Sequence, residues 1–150
     1  MKPTDLQTGD YALVKPSMML IKVSAVHHKK VGYHAVTHKL NWVRMDLLES
    51  IPLTSEILEK LGFNKVPQQG CLNPYHWTLD VYEEESEELL YSIKAYKTLF
   101  RGMYISIDNH ADCEPIKFSK QIEYFHELQN ALRLCSLNEL ADNLKMEEYV

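Results

Sequence analysis

The chain is short of the residues that build the commonest nucleotide and redox sites. It has five glycines in 150 residues, little material for a glycine-lined phosphate cradle. No G-x-x-x-x-G-K-[ST] loop, G-x-G-x-x-G turn or G-x-S-x-G elbow occurs, so none of the chemistries those turns serve is expected. Three cysteines, Cys71, Cys113 and Cys135, are too few and odd in number for a disulfide framework. Reduced thiols in a cytoplasmic chain are the expectation. No apolar run approaches the roughly 20 residues that span a bilayer, so no membrane partner is expected. Met1-Lys2-Pro3-Thr4-Asp5 has no apolar stretch behind its lysine and does not read as a secretory signal.

What is present is ordinary for a folded domain. Forty-five per cent apolar and 25% charged residues exclude a mainly disordered chain. The length suits one domain, or a small barrel joined to a larger unit. The formal charge of −5 favours solubility and gives no general attraction to nucleic acid. Lys15, Lys22, Lys29, Lys30, Lys39 and Arg44 nevertheless make the N-terminal part more basic than the rest.

The first 50 residues read as short strands. Gly9-Asp10 turns the chain into a strand over Tyr11–Lys15, which Pro16 ends because it lacks the ladder donor. Met19–Val26 and Val31–Thr37 pair across His28-Lys29-Lys30, and Trp42, Val43 and Met45 form a fourth strand. Such a cluster predicts a small SH3-like β-barrel over 1–50, since closure removes exposed edges. An α+β unit over 51–150 follows. Thr54 is placed to cap a short helix, Leu53 and Leu58 to staple it, and Gly62 to end it. Asn64–Pro74 reads as a loop. Strands are expected over Trp77–Tyr82, Leu89–Tyr96 and Met103–Ile107, with Glu83–Glu88 a solvated hairpin end, and a further short strand at Ile116 and Phe118. Ile122, Phe125, Leu128, Leu132 and Cys135 recur with helical period, predicting an amphipathic helix over Gln121–Cys135. Ser136 and Glu139 then form a capping pattern for a last helix. The fold class expected is therefore α+β, an N-terminal barrel followed by an antiparallel sheet covered by C-terminal helices.

Two of these segments carry a resemblance: Ile51-Pro52-Leu53-Thr54-Ser55-Glu56-Ile57-Leu58-Glu59-Lys60-Leu61-Gly62-Phe63, and Ile122-Glu123-Tyr124-Phe125-His126-Glu127-Leu128-Gln129-Asn130 continuing to Leu134. Over about a quarter of the chain, they resemble a group of small uncharacterised proteins of Bacteroides-type gut bacteria, often associated with phage or mobile elements. Members often have valine where this chain has Phe125, a change that keeps an apolar side chain. The resemblance implies a bacterial, intracellular protein and carries no activity.

Candidate chemistry is sparse. His126-Glu127 begins like the H-E-x-x-H zinc motif, but the second histidine position is Asn130, a poor zinc ligand. The expected role of His126 is a hydrogen bond at the sheet edge, with Gln129 and Asn130 fixing nearby backbone groups. Alternatively His126, Asn130 and Arg133, three and four residues apart, share a helix side and form an interaction surface. Lys29 and Lys30 are the basic counterpart. Cys71, His76, His110 and Cys113 are too loosely spaced to predict zinc. Histidines 27, 28, 34 and 38 suit a surface hairpin, and Cys135 on the apolar stripe reads as an inert thiol. Asp108, Asp112 and Glu114 could take a hard cation only in an ordered loop. No catalytic residue, metal or cofactor is expected. The leading functional reading is a non-catalytic protein-interaction or adaptor module with an unknown protein partner. The alternatives are a nucleic-acid-associated accessory protein using the basic N-terminal unit, and an enzyme of unfamiliar design. Self-association into a homo-oligomer is left open.

Overall fold

The computed structural model describes residues 5–70, 73–99, 102–110, 117–135 and 137–144. It is an α+β chain with more strand than helix. Its contacts divide it into two units, the first Met1–Ile51 with Tyr124–Val150, the second Pro52–Glu123. The sequence reading drew one boundary at 50/51 and left both C-terminal helices with the later strands. The contacts group those helices with the first unit instead. The cause is local: Phe125 N donates to Ile51 O (2.8 Å), so the chain re-enters the first unit beside the point where it left.

The first unit opens with β1 (Tyr11–Val14), β2 (Met19–Lys22), β3 (Ala25–His27), β4 (Lys30–His34) and β5 (Leu40–Arg44). A short 3-10 turn (Met45–Leu47) leads into β6 (Leu48–Glu49). Strands β2-β1-β6 form one antiparallel sheet and β3-β4-β5 another. The closed barrel expected from the sequence is not found among the described residues. The expected strand over Met19–Val26 is divided, because its ladder changes partners partway. Val23 exchanges hydrogen bonds with Gly9 and Asp10, whereas Ser24 N donates to Gly32 O. Leu6, Ala12, Ile21, Val23, Val31, Met45 and Leu48 form the core between these strands.

In the second unit α1 (Ser55–Lys60) is capped as expected, Thr54 Oγ1 accepting from Ile57 N (3.3 Å). Leu53 and Leu58 are buried, and Gly62 takes φ +97° just beyond the helix. The sheet adds β7 (Asn64–Pro67), β8 (Tyr75–Tyr82), β9 (Leu89–Lys97), β10 (Met103–Asn109) and β11 (Lys117–Ile122), in the order β11-β10-β9-β8-β7, all antiparallel. The segment from Asn64 was expected to be a loop. It pairs as an edge strand, the one place in a sheet where Pro67 costs no ladder bond. Trp77, Ala95 and Ile105 stand opposite one another across β8, β9 and β10, and all three are buried. The indole of Trp77 donates to Glu59 Oε1 (3.0 Å), tying α1 to β8. Glu83–Glu88 is the exposed end of the β8–β9 hairpin.

The C-terminal part of the first unit is α2 (Phe125–Leu134) and α3 (Asn138–Asn143). Helix α2 begins four residues later than the apolar period predicts. Gln121 and Ile122 belong to β11, where Ile122 is buried opposite Met103, and a buried strand residue happened to continue the helical phase. Glu127 Oε2 accepts from Tyr124 N (2.9 Å), satisfying an amide at the helix start. Ser136, expected to cap the last helix, lies outside the described residues, as does Ile116.

Phe125, Leu128 and Leu132 have almost no exposed surface. Leu128→Ala is expected to destabilise the first unit by roughly 2–4 kcal/mol, the cost of a cavity in a packed core. Lys39→Ala, at an exposed position, should stay within about 0.5 kcal/mol. Chemical denaturation of both variants is the check, and equal small losses would show that α2 does not carry the core.

Candidate functional site

The sequence singled out His126, Asn130 and Arg133 on one helix and Lys29 and Lys30 on a hairpin. The structure gives the two groups different environments. Of the helical three, Arg133 reaches Asp10, whose side chain is wholly buried at the entry to β1. Arg133 Nη1 lies 2.5 Å from Asp10 Oδ1 and also donates to Asn130 Oδ1 (2.9 Å). Asp10 Oδ2 accepts from Gln7 N (2.8 Å), and a second carboxylate, Asp142, is 3.5 Å from Arg133 Nη2. Asn130 Nδ2 donates to Asp5 O (3.2 Å). Gln129, also fully buried, donates to Gly9 O (3.1 Å) and Ala141 O (3.2 Å) and accepts from Tyr11 N (3.3 Å). Gln129 and Asn130 thus hold backbone groups around the first turn.

His126 is buried, stacks at 6.0 Å on Tyr124, and its Nδ1 has no hydrogen-bond partner. Burial pulls this imidazole below its ordinary value, outweighing the opposing pull of Asp10. Burial likewise pushes the Asp10 carboxyl up, more than Arg133 pulls it down. Gly9 lets the two ends meet. With φ +95°, a Cβ there would lie 2.8 Å from Arg133 Nη2 and 3.0 Å from Asp142 Oδ1. Asp10 and Gly9 were not singled out as site residues. The available signal was Gln129, a fully polar side chain within the apolar stripe, which must find partners inside.

Lys29 and Lys30 sit where β3 turns into β4, and neither ammonium has an ion-pair partner among the described residues. Around them residues 11–45 contain no aspartate or glutamate. The same stretch shows several large exposed apolar side chains, among them Met19, Val36 and Trp42. A groove of about 410 Å³ lies here, lined by Tyr11, Met19, Ile21 and Lys22 on one side and Tyr33 and Val36 on the other. Lys22 Nζ stands 5.6 Å from the Tyr11 ring, and no acid lines the groove.

The remaining candidates assemble no reactive centre. Cys71, Asp112, Cys113 and Glu114 lie outside the described residues. Ser92 Oγ donates to Asp80 Oδ1 (2.9 Å) and is 3.1 Å from His110 Nε2. Here serine lies between histidine and carboxylate, whereas nucleophilic activation needs histidine between the other two. Burial raises the half-buried Cys135 thiol, away from a reactive thiolate. Among the described residues no three potential ligands group to hold a metal, and no helix is long and apolar enough to cross a membrane. No protein-family model matches the chain, and comparison with curated proteins and with solved structures finds no match.

Removing Arg133 would strand the Asp10 carboxylate in the interior. Arg133→Met is expected to cost roughly 3–5 kcal/mol, and Lys30→Ala less than about 0.5 kcal/mol, both read from urea unfolding.

The His126 shift fixes a pH dependence. Below the ordinary value of 6.5 the unfolded chain takes up a proton that the folded His126 resists. Its stabilising share is therefore complete above pH 6.5 and is lost as pH falls toward the depressed folded value. Asp10 acts with the opposite sign, its share growing as pH falls through its raised folded value toward 3.8. Urea midpoints between pH 7.5 and 5.5 should therefore fall on acidification, and His126→Gln should flatten that slope. An unchanged slope in the variant would remove His126 as its source.

Proposed function

We propose that the chain is a non-catalytic interaction module of the bacterial cytoplasm, and that its first unit receives an extended segment of a partner protein. The groove of Tyr11, Met19, Tyr33 and Val36 is the observation that carries this reading. Val36 is 98% exposed and Met19 41%, more apolar surface than a hairpin tip needs for its own packing. Tyrosines beside it supply contact area with a polar end. Strand β2 is the free edge of its sheet along one side of the groove. An extended segment can pair with such an edge while its side chains enter the groove. Lys22 and His34 are the basic residues of the lining, so the matching segment is apolar with an acidic residue.

An open SH3-like arrangement is part of this proposal. The stretch from Met19 to His27 passes from one three-stranded sheet to the other at Val23-Ser24. The 3-10 turn then delivers a short last strand back to β1. Corner strands of this kind join orthogonally packed small sheets, and such folds host many functions, so the groove rather than the fold carries the argument.

Peptides selected from a random display library against the full chain should be rich in apolar residues with an acid among them. Their affinity should fall at least about tenfold in Val36→Asp and Tyr33→Ala, measured by fluorescence anisotropy with folding confirmed by circular dichroism. Selected peptides that bind both variants as well as the parent chain would place the interaction elsewhere.

A further inference from the structure

The outer face of the β3-β4-β5 sheet is a second surface, and its chemistry differs from the groove's. Alternation along the strands sets Ala25, Gly32 and Trp42 side by side on this face, with His27, Lys30 and Arg44 in the next row. Val31, on the other face, has no exposed surface and belongs to the core. Trp42 is 47% exposed on a sheet face open to solvent. The reason it can lie there is Gly32. A Cβ at that position would come within 3.3 Å of the indole and 3.1 Å of Leu40, so both side chains settle onto bare backbone and bury it. The His27 ring meets the indole edge-on at 6.4 Å, and His28 stands 4.2 Å from His27. Arg44 is paired with Asp46. Lys29 and Lys30 have no ion-pair partner among the described residues.

We propose that this face binds single-stranded nucleic acid, one base stacking on Trp42 and the flanking phosphates meeting Lys29 and Lys30. An exposed aromatic ring beside unpaired cations is the arrangement that single strands use, since every base offers a π-face and the backbone supplies the charge. No acid occurs from 11 to 45, and Asp46 just beyond is paired with Arg44, so the repulsion expected of a chain of net charge −5 is reduced on this face. A duplex does not fit. Its bases are already stacked on one another, and two free lysines neutralise too little of its charge to replace that. This site is separate from the peptide groove in its deciding residues, so either can fail without the other.

The test is anisotropy of a fluorescein-labelled twelve-residue oligothymidylate with the full chain, across a salt series. Binding at 0.1 M salt is expected, at least about fivefold weaker in Trp42→Leu, which keeps an apolar cover over Gly32 but removes the stacking face. Trp42→Phe should retain most of the affinity. Lys29→Ala/Lys30→Ala should lower the slope of log affinity against log salt by about 1.4, the share of two single-strand phosphate contacts. Tryptophan fluorescence should be quenched on binding in the parent chain and not in Trp42→Phe, because Trp77 is 4% exposed. A labelled duplex should bind weaker than about 10 μM. No oligothymidylate binding, equal binding by Trp42→Leu, or equal binding of duplex or polyglutamate would each overturn the proposal.

Discussion

Asp10 is a carboxylate with no exposed surface, and the first unit is arranged around what that requires. A buried charge must be paired and hydrogen-bonded, or its desolvation is uncompensated. Arg133 supplies the charge and Gln7 an amide, and these come from opposite ends of the sequence. The pair therefore does what an apolar contact cannot. Leu128 could slide against another methyl group at little cost, whereas Arg133 has one place in which Asp10 is satisfied. Gln129 adds three bonds of the same kind to Gly9, Tyr11 and Ala141. Helix α2 is fixed in register and rotation by polar contacts, and apolar packing supplies the bulk of its stability.

That arrangement explains the order of the chain. The second unit is inserted between Ile51 and Tyr124, so the first must be completed by residues that arrive more than 70 positions later. A weakly specified helix arriving last could dock in several rotations. The network around Asp10 distinguishes among them, because only one places Asn130 and Arg133 together against the first turn. The same network accounts for the uncomfortable His126, whose Nδ1 is buried without a partner. It shares the helix face that the ion pair holds inward, and neutrality is how it tolerates the position.

Local signals were legible wherever they stood on local chemistry. Thr54, Leu53 with Leu58, and Gly62 each act within one turn of themselves, and the alternation of Trp77, Leu79 and Val81 needs only the pleat. What was not legible depended on distant partners. The phase of Ile122 continued a helix although its place was a strand, because burial on one face looks the same at a single position in either element. Asn64–Pro67 looked like a loop since proline rarely pairs, and only the sheet order shows it to be an edge. Of the proposed surface residues, spacing correctly grouped Asn130 and Arg133 on one side of α2. It carried no information on whether that side met water or Asp10. Lys29 and Lys30 kept their exposure because a tight turn between paired strands has no interior to offer.

The two units therefore differ in where their polar groups are used. In the first, Asp10 is drawn inward to hold α2, and the stretch from Tyr11 to Met45 carries no acid at all. Removing acids from a surface and exposing Trp42, Val36 and Met19 on it are separate costs to solubility. A fold under no demand but stability would avoid both, since exposed apolar area and unpaired charge add nothing to its core. The acidic hairpin end of the second unit offsets the charge for the chain as a whole, at a place where Glu83–Glu88 are all exposed. The polar contacts that fix register are thus gathered around Asp10 and Arg133, whereas the acidic hairpin end belongs to the second unit.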